Sequence, residues 1–378
     1  MANDIDWRSS GVSEGDITVE MLSPTNLTDS YGVLDGVILS GSKLSASYYG
    51  ETRTSGTLKY EGNGWRRGSF LRVIYNSKTD SRLKRVLGTY VATSDPAVRD
   101  HGSWVTTLSL QSAGLYTLSK DPHAEPWVLN SGAYVRDAMH SILKSVNRPY
   151  TDDAHSNKYV SSAVVLERDK TTLSWLNSLA SMSGLRLECN QNGSTAIKDY
   201  IQPSQKPANM TLDLSDPRGV VVNTNIKRTT DYLSIPGQTA VVFRYTTNEK
   251  TSDNKTEAVE HYITATATAT GNAAPSVRGY NVVNYYNLSN LDPQTQWHAQ
   301  ELADQYLREQ THETVEWTIK TTYLPLWEGD VINLVVPDGV NGYSGTRKCL
   351  VKSVDIDLDT MALSLSLKET NDYTDLTD

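Results

Sequence analysis

The sequence predicts a mainly β chain with α+β insertions. Tyrosine is abundant, with 21 residues against 2 phenylalanines, and threonine, valine and serine are frequent. Residues of these β-branched and aromatic types favour strands. Segments in which apolar and polar residues alternate recur near both ends of the chain, whereas helical periodicity is confined to segments between them. The length of 378 residues suggests about two to four domains.

The first part of the chain, residues 1–117, shows strand patterns throughout. The clearest are the runs LKRVLGTYVATSD and SWVTTLSLQ. Turn-forming residues bound these runs, namely GNG at 62–64, Asp95-Pro96 and Asp100-His101-Gly102. No helical period is present, so we predict a β-rich domain here.

Two helices and a hairpin are predicted in residues 118–206. In SGAYVRDAMHSILKSVN, we expect Asn130 or Ser131 to cap the start of a helix and Asn147 with Pro149 to end it. Its apolar face consists of Val135, Ala138, Met139, Ile142 and Val146. The second helix, TTLSWLNSLASMS, ends at Gly184, where a left-handed residue is favourable. Its apolar residues are Leu173, Leu176, Leu179, Ala180 and Met182.

The sequence LRLECNQNGSTAIKDY predicts a hairpin that turns at Asn192-Gly193. Residues 118–206 are therefore predicted to be an α+β unit inserted in β-rich sequence, and IQPSQKPAN is predicted to be its exit linker.

Strands and a third helix are predicted in residues 207–312. Two strands flank Pro236-Gly237, a pair suited to a type II turn. The polar run at 248–256 is typical of a loop, and TATATAT at 264–270 predicts a strand. Asp292-Pro293 predicts the start of the helix. Its face is Ala299, Leu302, Ala303, Tyr306 and Leu307.

The C-terminal segment predicts a β-meander with one buried face. Gly329-Asp330, in LPLWEGDVINLVVPD, is predicted to turn the chain so that the strand at 331–336 lies beside its neighbour, and a second turn falls near Asp359-Thr360. The inward residues are Val315, Trp317, Ile319, Thr321, Tyr323, Val354, Ile356, Leu358, Met361, Leu363, Leu365 and Leu367. The outward residues of the first of these strands are Glu316, Thr318, Lys320 and Thr322.

Composition and charge argue against several classes of protein. The net charge of −9 disfavours a sequence-reading nucleic-acid binder, because such a surface repels phosphate. Cys189 and Cys349 form neither a disulfide framework nor a zinc pattern, and we expect two free thiols in a reducing compartment. The N-terminus, MANDIDWRSS, lacks the features of a signal peptide. No apolar run approaches the roughly 20 residues that cross a bilayer.

No residue pattern in the sequence indicates catalysis or metal binding. The histidines lack metal-ligand spacing, and we expect His140 and His298, off the apolar helix faces, to be solvated. Cys189 lies in an alternating strand and is typical of a structural thiol. Asp152-Asp153 in a loop, and Asp355 with Asp357 on a polar strand face, are interpreted as solvated rather than as a glycosidase pair. We therefore predict no catalytic, cofactor-binding or metal-binding residues, no cofactor and no enzymatic activity.

Three stretches resemble the baseplate hub family of phage tails, which includes tail-associated hub proteins of long-tailed phages and prophages. LSASYYGETRTSGTLKYEGNGWRRGSFLRVIY followed by LGTYVATSD resembles the first barrel of that family. DKTTLSWLNSLASMSGLRLECNQNGSTAIKDYIQP resembles its inserted α+β domain. LPLWEGDVINLVVPD resembles the Gly-Asp-Val strand of its second barrel. The resemblance spans nearly the whole chain.

The resemblance implies two small β-barrel-like tube domains, an inserted α+β domain and a peripheral insertion with one helix. Their expected ranges are 1–117 for the first barrel, 118–206 for the inserted domain, 207–247 with 313–378 for the second barrel, and 248–312 for the peripheral insertion. Three chains would form a homotrimeric ring whose six barrels give approximate sixfold symmetry.

Such a ring would adapt the hexameric tail tube or distal tail protein to a trimeric central spike or fibre. It would sit at the virion tail tip, or baseplate, after assembly in the bacterial host cytoplasm, with the tape-measure protein as a further partner. Genomic DNA would pass without specific binding. Many relatives continue into a peptidase or fibre domain, whereas this sequence stops at Asp378, so digestion and receptor binding are expected to belong to other proteins.

Two alternatives stay open. A tail-borne cell-wall hydrolase would need a catalytic triad, a zinc site or a paired acid. A carbohydrate-binding receptor module would need a clustered groove of exposed tryptophan and tyrosine, but the tryptophans are spread over all segments and suit a core or a subunit interface equally well. For the hub, an acidic or neutral channel wall would avoid trapping phosphates, and its candidate acidic residues are Asp355, Asp357 and Glu316. The alternative is that the acidic residues keep the outer surface soluble.

Overall fold

The computed structural model describes residues 15–62, 64–78, 84–100, 102–160, 163–216, 221–231, 235–250, 256–271, 274–289, 296–310, 314–340 and 343–370. The chain is mainly β with α+β insertions, as the sequence predicts. Its first strands are β1 (Gly15–Leu22), β2 (Ser30–Val33), β3 (Val37–Ser47), β4 (Thr54–Glu61), β5 (Phe70–Ser77), β6 (Lys84–Ser94), β7 (Ala97–Asp100) and β8 (Ser103–Ser112). The two strands predicted from LKRVLGTYVATSD and SWVTTLSLQ are β6 and β8.

The inserted segment combines helices with short strands. Its elements are α1 (Leu115–Ser119), β9 (Trp127–Leu129), α2 (Val135–Ser145), β10 (Tyr150–Asp152), β11 (Val164–Leu166), α3 (Thr172–Ser183), β12 (Leu185–Cys189), β13 (Thr195–Asp199) and a 3-10 turn at Pro203–Gln205. The two predicted helices, α2 and α3, and the predicted hairpin of β12 and β13 are present. Helix α1 was not predicted, because five residues are too few to show a helical period.

The sequence predicts the end of α3 correctly but not the start of α2. Helix α3 ends at Gly184 with φ 69°, as predicted, and the Thr171 side chain accepts a hydrogen bond from the Ser174 N–H at its start. The predicted cap of α2 at Asn130 or Ser131 is wrong, because α2 begins after Tyr134. Gly132 donates its N–H to Val160 O at 2.6 Å. This pairing keeps the residues before Tyr134 extended, so the helix begins only after Tyr134.

The remaining elements complete the chain. They are β14 (Met210–Asp213), β15 (Val221–Asp231), β16 (Gln238–Lys250), β17 (Thr256–Thr268), α4 (Pro275–Arg278), β18 (Val283–Ser289), α5 (Gln296–Gln310), β19 (Thr314–Thr322), β20 (Val331–Val340), β21 (Tyr343–Asp357) and β22 (Ala362–Glu369). The loop predicted at 248–256 is wrong for residues 248–250 and 256, because β16 and β17 pair as far as Lys250 and Thr256. Residues 251–255, the predicted start of α5 at 292–293 and the His298 side chain lie outside what the structure describes.

Strands from the N-terminal and C-terminal parts of the chain, β1–β8 with β14, β15 and β19–β22, form one 14-stranded sheet. Its order is β15-β19-β22-β21-β3-β4-β8-β6-β5-β1-β2, a path with two ends, and β7, β14 and β20 pair beside it. We call β1–β8 the first sheet half, and β14, β15 and β19–β22 the second sheet half. The halves meet where β3 pairs antiparallel with β21, so that Ser45 lies opposite Asp355.

The predicted C-terminal meander is present in β20, β21 and β22, and its inward residues are buried. Strand β19 pairs with β22 rather than with β20. One hydrophobic cluster includes residues of both sheet halves, among them Leu58, Leu110, Leu334 and Leu365. The Tyr75 and Tyr323 rings stack across it with centroids 5.7 Å apart. The two sheet halves therefore share a core.

A separate three-stranded sheet has the order β17-β16-β18. Helix α5 packs on β16 and β17, and the predicted apolar residues Ala299, Ala303 and Leu307 are buried there. The predicted type II turn at Pro236-Gly237 is wrong, because Gly237 does not have a positive φ and its N–H donates to Val282 O. The strands on either side of this pair, β15 and β16, belong to different sheets, and β16 crosses the expected domain boundary at residue 247.

Candidate functional site

Arg186, on β12 of the inserted segment, lies where that segment meets both sheet halves. Its Nη2 donates to Tyr48 O at 3.2 Å and lies 3.3 Å from Glu328 Oε2, and its Cζ is 3.5 Å from the centroid of the Tyr48 ring. Its Nε is 3.4 Å from Glu188 Oε1 on the same strand. The Arg186 side chain is only 10% exposed. We call Tyr48, Arg186, Glu188 and Glu328 the junction cluster.

The local sequence explains why Arg186 faces this junction. In β12, Leu185, Leu187 and Cys189 are buried in the core of the inserted segment, on which α3 packs. Alternation along the strand turns Arg186 and Glu188 to the opposite face. That face meets the chain immediately after β3 and immediately before β20.

The turn before β20 brings Glu328 to Arg186. Gly329 has φ 85°, a conformation that glycine adopts at little cost, and a Cβ at this position would lie 3.1 Å from the Tyr48 ring. Asp330 accepts the Trp327 N–H at 2.7 Å and the Asn209 amide at 2.9 Å. The Glu-Gly-Asp sequence therefore forms a tight turn whose first residue faces the junction.

Burial dominates the electrostatics of this site. Desolvation raises the pKa of Glu328 to about 7, although Arg186 and Arg53 oppose this shift. Its side chain is 3% exposed. Burial also lowers the pKa of Lys206, which donates to Gly329 O at 3.2 Å. Burial opposes ionisation of Glu188 as well, but its hydrogen bond to Lys198 and the nearby positive charges outweigh that effect and lower its pKa.

The tip of the β12–β13 hairpin makes a second contact with the first sheet half. Thr89 Oγ1 donates to Gln191 O at 2.9 Å, and Arg72 Nη2 donates to Leu27 O at 2.7 Å and to Asn192 O at 3.4 Å. Gly193 has φ 92°, and a Cβ there would lie 2.9 Å from Thr89 Cβ. The hairpin therefore docks the inserted segment at two places, one at its tip and one at Arg186.

The two cysteines are buried free thiols, as predicted. Ser112 Oγ donates to Cys189 Sγ at 3.1 Å across the contact between β8 and β12. Burial raises the pKa of both thiols, which disfavours the reactive thiolate. Their chemistry is that of structural residues.

Histidines and carboxylates discussed as possible catalytic groups have structural partners. His140 is not solvated as expected, because its Nε2 lies 2.7 Å from Asp152 Oδ2, which Arg136 Nε also approaches at 3.1 Å. Asp152 belongs to strand β10 rather than to a loop. Within the described ranges, no group of three or more His, Cys, Asp or Glu side chains could hold a metal ion.

A second arrangement resembles a catalytic triad in composition only. His123 Nε2 is 2.8 Å from Thr172 Oγ1, which donates to Asp121 Oδ2 at 2.9 Å. The Thr172 side chain is buried in the first turn of α3, and the His123 ring stacks on Trp175 with centroids 3.7 Å apart. A hydroxyl without solvent access is unsuited to attack a substrate.

The channel candidates Glu316, Asp355 and Asp357 lie on the outward face of the second sheet half. Asp355 accepts the Ser45 hydroxyl at 2.5 Å, and Glu316 lies 2.6 Å from Lys352 Nζ. Asp357 accepts the N–H groups of Asp359 and Thr360 at the turn before β22. All three carboxylates thus have local partners, and this outward face carries lysines as well as acids.

Exposed tryptophans do not form a common groove in the part of the chain that the structure describes. Trp104 on β8 is 58% exposed and Trp297 on α5 is 72% exposed. Strand β8 belongs to the 14-stranded sheet, whereas α5 packs on the separate three-stranded sheet. Within the described part of the chain, none of the helices has the length and hydrophobicity of a membrane-spanning helix.

Solved structures with the same fold include phage and prophage tail proteins. A tail protein from Neisseria meningitidis matches with a TM-score of 0.62 and 14% identity, over 94% of this chain and 97% of that one. The 43 kDa tail protein of prophage MuSo2 from Shewanella oneidensis gives 0.61 and 12%, over 94% and 98%. Prophage tail protein gp18 from Listeria monocytogenes gives 0.54 and 10%, over 93% and 94%.

This chain has the fold of prophage tail proteins. The tail-protein fold extends over nearly the whole length of all three neighbours, so it includes the inserted segment and both sheet halves. The resemblance drawn from the sequence is therefore confirmed at the level of the fold. No family model matches the chain, and no curated protein matches it by sequence.

The sequence did not single out the junction cluster. The stretches LSASYYGET, LRLEC and LPLWEGD are separate in the sequence, and no local pattern predicts that they converge. A charged residue between two buried leucines, as in Leu-Arg-Leu, is the signal that was present. The same pattern also describes an ordinary solvated strand face.

Proposed function

We propose that this chain is a structural hub protein of a phage tail tip. Three copies form a ring that connects the tail tube, or a distal tail ring, to a central spike or fibre. The main support is the tail-protein fold, which covers at least 93% of this chain and of each of three tail proteins. The ring stands at the end of the virion tail, and genomic DNA leaves through it.

The joined sheet halves support the trimeric arrangement. Each chain contributes two β halves that are connected through β3 and β21 into one sheet. Three such chains present six β units, which gives approximate sixfold symmetry to one neighbour while the chain count stays threefold for the other. The expected division at 1–117, 118–206, 207–247 with 313–378, and 248–312 is part of this proposal, except that residues 238–247 of β16 are grouped with the peripheral insertion, because β16 pairs with β17 and β18.

The outward face of the large sheet is our candidate for the channel wall. Its small polar side chains form a row across adjacent strands, in which Asp355 lies opposite Ser45, and Ser45 lies opposite Ser55. Lys352 pairs with Glu316, whereas Asp355 and Asp357 accept hydrogen bonds from uncharged donors, so these positions offer a phosphate no unpaired positive charge. A wall of this kind lets a phosphate backbone slide, because few counterions are released on contact.

The proposal assigns no enzymatic activity to this chain. The neighbours in fold are tail proteins, and the Asp121–Thr172–His123 arrangement has a buried hydroxyl. Purified protein incubated with bacterial cell walls is expected to release neither peptides nor sugars. Release that disappears after Thr172→Val or another single substitution would contradict a purely structural role.

Copy number in the assembled tail tip tests the hub directly. We expect native mass measurement and a reconstruction of the tail tip to give three copies of this chain. One, two or six copies per particle would refute the ring.

The channel wall is tested separately with duplex DNA, which should bind the isolated assembly weakly at low salt. Tight binding that falls steeply with salt would refute the neutral wall while leaving the copy number intact.

A further inference from the structure

Glu328 lies where the turn after β3, strand β12 of the inserted segment and the turn before β20 meet, although these segments are far apart in sequence. It faces charged and titratable groups from every segment that packs against it. These are Tyr48 and Arg53 from the turn between β3 and β4, Arg186 and Glu188 from β12, and Lys206 from the linker after the inserted segment, while Asp330 lies two residues further along its own turn. A change in the charge of Glu328 therefore changes the electrostatic interactions that hold the inserted segment against the sheet.

Arg186 and Glu328 depend on their ion pair to different extents. Arg186 also has Glu188 at 3.4 Å, Tyr48 O at 3.2 Å and the face of the Tyr48 ring at 3.5 Å. It stays satisfied when Glu328 is neutral. The Glu328 carboxylate is 3% exposed, and its ion pair with Arg186, at 3.3 Å, replaces only part of the hydration lost on burial.

We propose that Glu328 makes the docking of the inserted segment pH-dependent. When the carboxyl group is protonated, the junction cluster closes without a buried negative charge at this position. When the carboxyl group is ionised, opening the junction returns it to water, so the open form becomes more populated. The device would let the inserted segment loosen from the sheet as the pH rises to neutral and above, while both sheet halves stay folded.

The direction follows from proton linkage. Burial raises the pKa of Glu328 from 4.5 to about 7 in the closed junction, whereas a hydrated carboxyl group in the open junction keeps the ordinary value. The closed form therefore holds the proton more tightly, and closure is favoured at low pH. Its advantage is lost as the pH rises from about 4.5 to about 7.

Hydrogen exchange measured by mass spectrometry tests this proposal on the full chain between pH 5 and pH 8. Exchange rates are corrected for the intrinsic effect of pH, and peptides covering β12 (185–189) are compared with peptides covering β22 (363–367). We expect the opening constant at β12 to rise about ten-fold or more across this range, from the linkage of one proton, while that at β22 changes little.

Two variants distinguish Glu328 from the other charges. In Glu328→Gln the pH-dependent rise at β12 should disappear, since an amide does not titrate. In Glu188→Gln the rise should remain, with faster exchange at every pH, because a carboxylate that favours its charged form has been removed. A flat wild-type profile at β12 would overturn the proposal without any variant. So would a rise that survives in Glu328→Gln, or one that appears equally at β22.

Discussion

The guanidinium group of Arg186 stacks on the ring of Tyr48, although the two residues are 138 positions apart in the chain. The same guanidinium group reaches Glu328, which is 142 positions away in the other direction. One side chain of the inserted segment therefore contacts both halves of the sheet. We expect substitutions at this contact to affect how the segments hold together, and each prediction below uses a matched control.

Arg186→Ala is expected to lower the free energy of unfolding by about 3 kcal/mol, because it leaves Glu328 buried without its ion pair and removes the stack on Tyr48. Arg186→Lys should lose less, since it keeps the charge. Chemical denaturation measures both. The control is Arg168→Ala on the same segment, where the side chain is 74% exposed and the change should stay within about 0.5 kcal/mol. Equal losses at positions 168 and 186 would show that the junction adds nothing.

Glu188→Gln and Glu328→Gln should have opposite pH dependences. The pKa of Glu188 is lowered in the folded protein, so this group stabilises the fold above its unfolded pKa and loses that contribution as the pH falls through the folded value. Glu188→Gln should therefore destabilise the protein at pH 7, and the difference from wild type should shrink as the pH falls below the ordinary carboxyl pKa of about 4. The pKa of Glu328 is raised to about 7, so Glu328→Gln should become relatively more stable as the pH rises from about 4.5 to about 7. Melting curves recorded from about pH 3 to about pH 8 cover both transitions, and parallel profiles for the two variants would contradict the assignment.

Gly193→Ala should weaken the docking of the hairpin tip. Gly193 has φ 92°, and an added Cβ would lie 2.9 Å from Thr89 Cβ, so backbone strain and a collision act together. We expect a loss of about 2–4 kcal/mol. Gly132→Ala separates the two effects, because Gly132 has φ 81° and its Cβ would meet no atom within 4 Å, so strain alone should cost about 1 kcal/mol. A loss at 193 no larger than that at 132 would mean that the tip is not tightly docked.

Leu176→Asp should unfold the inserted segment. Leu176 is fully buried between α3 and its neighbours, and a carboxylate without a partner is very unfavourable there. Circular dichroism should show loss of helix, since α2 and α3 share this core. Asn177→Asp introduces the same side chain at the adjacent exposed position and should leave the spectrum and the melting temperature nearly unchanged. Wild-type behaviour of the variant at 176 would show that the predicted helix face is wrong.

The sequence by itself determined which segments are strands and helices and which of their sides are buried. Alternation at Val315, Trp317 and Ile319 and the spacing of Met139 and Ile142 report the local backbone period directly, and these side chains are buried as predicted. The left-handed end of α3 at Gly184 follows from the same local chemistry. Local signals failed where backbone pairing overrode them, as at the start of α2 and at residues 248–250, and where an element was too short to show a period, as in α1.

Only the tertiary structure decided which elements meet. The period of a strand is the same whichever neighbour it has, so the pairing of β3 with β21 and of β19 with β22 had no local signal. Arg186 has the same place in its strand pattern whether it faces water or Tyr48 and Glu328. Its role comes from long-range contacts, because the energy of a buried ion pair depends on partners and burial that no single segment of sequence contains.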